Sequence, residues 1–82
     1  MEKYLIMCRS LTHAQRSQRL LERSGIVTTL IKAPVGLSSG GCAYALILRR
    51  HLEDSLSILR DKGMLTGNVY CQDGSDWKEY GL

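Results

Sequence analysis

Two short apolar runs, YLIMC at residues 4–8 and CAYALILR at residues 42–49, each lead through a polar break into a stretch with helical spacing. That repetition limits the folds open to the chain more than any other feature. Runs of this length suit strands buried on both faces and are too short for core helices. After the first run, Ser10 or Thr12 can offer a side-chain oxygen to the free amides of a first helical turn. Residues 11–24 are mostly helix formers, with Leu11, Ala14, Ser17, Leu20 and Leu21 near one face and Arg16, Arg19 and Arg23 on another. Gly25 then stands where a left-handed C-cap belongs.

Residues 26–32 are rich in β-branched side chains and read as a strand. Residues 33–41 hold Pro34, Gly36, Ser38, Ser39, Gly40 and Gly41, a loop that is long for a hairpin. Beyond the second apolar run, Leu52, Leu56 and Leu59 recur at helical spacing over residues 51–62, and Gly63 closes the stretch. Residues 66–72 give a last short strand. Residues 73–82 are polar apart from Trp77 and Tyr80 and read as a C-terminal tail.

The order strand, helix, strand, strand, helix, strand predicts an α+β, ferredoxin-like βαββαβ domain over residues 1–72. Its sheet would have four antiparallel strands in the order 4-1-3-2, which the right-handed crossover rule favours. Both helices would cover one face, because splitting them between two faces would leave too little core in a chain of 82 residues.

Composition narrows the function. Three cysteines, Cys8, Cys42 and Cys71, are an odd number at long spacings, which argues against a disulfide framework. With no Cys-x-x-Cys and two distant histidines, no metal site is expected. No stretch approaches the ~20 apolar residues of a membrane span, and no secretory pattern opens the chain; a cytoplasmic protein is expected. There is no nucleotide, flavin or nicotinamide motif, so no cofactor is expected. Glu53 and Asp54 are adjacent and point apart on a helix, so they do not form a paired-carboxylate site. A net charge of +3 tolerates an anionic partner. The absence of Phe and of an aromatic stacking set points away from nucleic acid.

The expected strand order turns fold into chemistry. The end of the first strand should lie beside the start of the third, gathering Cys8, Cys42, the helix start with Thr12 and His13, and the loop of Ser38, Ser39, Gly40 and Gly41. Cys71 should sit at the opposite end. A helix N-terminus carries partial positive charge and free amides. Such a setting lowers a thiol's pKa, and the thiolate is the reactive form. Cys42 is therefore the candidate nucleophile, with glycines beside it that leave room for another sulfur. The competing reading of Cys42 is a small buried hydrophobe at a strand start. Cys8 reads first as core and second as a resolving thiol. His13 reads first as a packing residue and second as a base or orienting donor. Arg16, Arg19 and Arg23 form either a solvated face or a surface for an acidic partner.

At Cys42 the chain resembles the selenium/sulfur carrier-like family. The resemblance rests on Ser10-Leu11-Thr12-His13-Ala14, on Ile31-Lys32-Ala33-Pro34, on Leu37-Ser38-Ser39-Gly40-Gly41-Cys42 and on Ala43-Tyr44-Ala45-Leu46, in that order, and covers residues 3–72. Ala43 departs from the glycine that usually follows the cysteine. The resemblance implies a carrier that holds a persulfide or selenopersulfide on Cys42 between donor and acceptor enzymes, and so a carrier or binding protein more than a self-contained enzyme. The alternative is a non-catalytic interaction or regulatory module, which could pair with a second copy through its edge strands.

Overall fold

The computed structural model describes residues 3–34, 37, 44–65 and 67–80. The elements are β1 (Tyr4–Cys8), α1 (Leu11–Arg23), β2 (Thr29–Lys32), β3 (Tyr44–Leu48), α2 (Leu52–Asp61), β4 (Val69–Asp73) and β5 (Asp76–Glu79). All strand pairs are antiparallel, and the sheet order is β2-β3-β1-β4-β5.

The βαββαβ order is present, but the sheet is not the four-stranded one expected. A fifth strand extends it beyond β4, while the first four strands keep the neighbours that the crossover rule gives them. The cause lies at Gly74, whose φ of 63° lets the chain reverse in two residues between the paired Asp73 and Asp76. Glycine adopts that conformation without steric cost. The returning segment Asp-Trp-Lys-Glu pairs by its backbone although three of its four side chains are exposed.

Strand alternation divides the core into two layers. Ile6, Cys8, Leu46, Leu48 and Val69 face the helices and pack with Ala14, Leu21, Leu52, Leu56 and Leu59. Both helices therefore lie on one face of the sheet. Leu5, Met7, Ala45 and Tyr70 form the other layer, with Ile31, Leu37, Ile47 and Trp77 packed against them.

Local chemistry sets the helix ends. The Ser10 side chain accepts from the backbone N–H of His13 at 3.1 Å, an N-cap that satisfies one orphan amide of α1. At the other end Gly25 has φ 79°, and the N–H of Ile26 returns to the Leu21 carbonyl at 2.9 Å. The Gln18 side chain also donates to the Thr28 carbonyl at 3.0 Å. Residues 26–28 are thus tied to α1, and β2 begins only at Thr29. α2 starts differently: His51 has φ 60° and no side-chain cap bond. Its carbonyl instead accepts from both the backbone N–H (2.9 Å) and the hydroxyl (2.8 Å) of buried Ser55.

Candidate functional site

β1 ends at Cys8, directly opposite Tyr44 at the start of β3, and Tyr44 in turn faces Lys32 at the end of β2. These three residues form a row at one end of the sheet. Ser10, two residues beyond Cys8, caps α1 there, so the positive end of the helix opens at the same place. No acidic residue lies in the first turn of α1, while exposed Arg9 and Lys32 add positive charge to this corner. The corner is electropositive on three counts, and Lys32 is a contributor that the sequence pattern did not single out.

Of the expected site residues, Cys8, Thr12, His13, Arg16, Arg19 and Arg23 are described. Ser38, Ser39, Gly40, Gly41 and Cys42 lie outside the described residues; Cys42 stands two positions before Tyr44 in sequence. Cys8 is 1% exposed and belongs to the core layer under the helices, its thiol directed to the Ile6 carbonyl at 3.7 Å. Thr12 is exposed. His13 is half-buried, and neither ring nitrogen has a hydrogen-bond partner among the described residues although both are shielded from water. Cys71 pairs with Tyr4, at the end of β1 remote from Cys8, and is half-buried. Those positions are four residue steps apart along β1, about 13 Å.

Arg16, Arg19 and Arg23 line a surface groove of about 420 Å³ together with Leu20, Lys62 and Met64. Among the described residues, no group of three or more His, Cys, Asp or Glu side chains gathers where a metal ion could be held. None of the described helices is long and apolar enough to cross a membrane.

Comparison with known proteins adds one decisive match. Residues 3–71 fit the family model described as "Putative Se/S carrier protein-like". The chain belongs to this family. No curated protein and no solved structure matches it.

The family match takes in all three cysteines, the capped start of α1 and the arginine stripe, and it stops before β5. Within this Se/S carrier-like segment the described cysteines differ sharply in setting: Cys8 is enclosed, and Cys71 lies at the wrong end of the sheet to join it. Lys62 and Met64 were not legible as groove residues. Lys62 follows α2 as an ordinary C-terminal cation, and only the packing of the two helices on one face brings it to the arginines of α1.

Proposed function

We propose that the chain carries reactive sulfur or selenium on Cys42. The single observation that supports this most is the family match over residues 3–71, which spans residue 42. The settings of the other cysteines agree with it. Cys8 is sealed in the core, and Cys71 is half-buried at the end of the sheet remote from the start of α1. The electropositive corner formed by Lys32, Arg9 and the start of α1 is the kind of setting that favours a thiolate.

In the proposed cycle the Cys42 thiolate attacks the outer sulfur of a donor persulfide. A new S–S bond forms as the donor's S–S bond breaks, and the donor leaves as a thiolate. The carrier then holds the group as Cys42–S–SH. An acceptor nucleophile attacks that outer sulfur, and the Cys42 thiolate leaves. The selenium version is identical with selenium as the outer atom.

The test is persulfide labelling after incubation with a cysteine desulfurase and cysteine. Cys42→Ser should remove the label, and Cys71→Ser should retain it. Equal labelling of the two variants would refute the reading.

A second reading has its own observation. β2 and β5 each pair on one side only, so the described sheet has two edges that can accept a further strand. As a non-catalytic interaction module, the chain would bind its partner or a second copy equally well after Cys42 is alkylated, which light scattering and a binding titration would measure.

A further inference from the structure

The groove beside the outer face of α1 holds four cations, Arg16, Arg19, Arg23 and Lys62, and no acid in its lining. Among the described residues, none of the four makes a close ion pair with a carboxylate. Between the cations lie Leu20 and Met64, both half-buried and both packed against the core. The three arginines recur at i, i+3 and i+7, so their stems line two turns of one helical face, about 10 Å along the axis.

We propose that this groove docks an acidic amphipathic helix of a partner protein. Its carboxylates would be spaced by three or four residues to meet the cations, and a leucine-like side chain would seat on Leu20 and Met64. Two features favour a protein over a nucleic acid strand. The groove has an apolar floor where a phosphate backbone would have no use for one. It also has no aromatic ring in its lining on which a base could stack. Guanidinium forks match carboxylates in pairs, which gives orientation as well as attraction. The proposal is independent of thiol chemistry: it concerns which surface meets a partner, whatever passes between them. Arg16 lies one helical turn beyond His13, so a helix lying along the stripe would run toward the end of the sheet where β1 stops.

The experiment is an amide NMR titration of the full chain with three probes. One is a helical peptide carrying glutamates along one face around a central leucine. The second replaces its glutamates with glutamine, and the third is a single-stranded oligouridine. The glutamate peptide should shift the amides of Arg16, Arg19, Leu20, Arg23, Lys62 and Met64, and its affinity should fall with added salt. The glutamine peptide should bind at least tenfold more weakly. Arg19→Glu combined with Lys62→Glu should weaken the glutamate peptide tenfold or more while the spectrum stays that of the folded chain, since both side chains are exposed. Met64→Ser should weaken the glutamate peptide about threefold, through loss of apolar contact with its central leucine. Stronger groove shifts with the oligouridine would overturn the proposal in favour of a nucleic acid site. Equal binding of the two peptides, or shifts confined to other surfaces, would also overturn it.

Discussion

A Cβ placed on Gly67 would fall 2.7 Å from the carbonyl oxygen of Met7 and 2.9 Å from its Cβ. The approach is backbone against backbone. Asn68, the next residue, accepts from the Met7 N–H at 3.0 Å, so the chain entering β4 is held flat against the end of β1. Gly67→Ala should therefore cost about 1–3 kcal/mol, the usual penalty for overpacking a site that cannot relax. For a chain of this size each kcal/mol lowers Tm by roughly 4–8 °C. A thermal melt unchanged by the substitution would show that the two segments can separate at no cost.

The capping of α1 makes a smaller, local prediction. Ser10→Ala removes the acceptor for the His13 N–H and should destabilise the protein by about 1 kcal/mol. Ser10→Asp should largely restore it, because a carboxylate both caps the helix and complements its positive end. Denaturant midpoints of the two variants check the order.

Leu46 is fully buried in the middle of β3 and packs against the helical layer. Leu46→Ala should cost about 2–5 kcal/mol, a large part of the roughly 5–15 kcal/mol that holds a domain folded. Urea denaturation of the variant should show the midpoint falling with little change in slope.

Cys8 should be inert to alkylation in the native state. Its sulfur lies in a residue 1% exposed, so reagent reaches it only when the layer between sheet and helices opens. Mass spectrometry of native protein treated with iodoacetamide should show residue 8 unmodified, with modification appearing as denaturant is added. Rapid native modification of Cys8 would contradict its place in the core.

The Tyr80 hydroxyl donates to Oε1 of Glu53 at 2.5 Å, and its ring meets Tyr4 edge-on with centroids 6.2 Å apart. The hydrogen bond to the Glu53 carboxylate holds the phenol above its ordinary value of 10.0, and nearby negative charge adds to the effect. A raised folded value means that the protonated phenol is the stabilising form. The contribution is present below pH 10 and disappears as pH rises through the higher folded value. Stability of the native chain should fall over that alkaline range, and Tyr80→Phe should remove this part of the fall.

Much of the fold could be read from residues because the burial signal was strong where it was read. Tyr4–Cys8 and the run through Tyr44 are interior strands, paired on both sides, and such strands are apolar on both faces. Ser10, Gly25 and the Leu52, Leu56, Leu59 spacing marked the helices for reasons that the structure repeats. β5 was missed because an edge strand carries little apolar signal: Asp76, Lys78 and Glu79 face water. The clue was Gly74-Ser75, a glycine-first pair suited to a two-residue hairpin turn, with Trp77 and Tyr80 beyond it. The corner was legible as the meeting of the first strand's end with the third strand's beginning, which the Cys8–Tyr44 register bears out. Lys32 joined that corner, and Lys62 the groove, only through pairing and packing between distant segments.

The extra strand has a practical corollary for anyone who trims the chain to its family-matched portion. Cutting after residue 71 would delete the partner of β4 together with the Tyr80 clasp onto α2. The shortened protein would carry a bare rim of unsatisfied amides and carbonyls beside Tyr70 and Cys71, a template on which further copies could stack. Asp76–Glu79 cover the side of β4 and move the open rim to a short strand whose side chains are mostly charged.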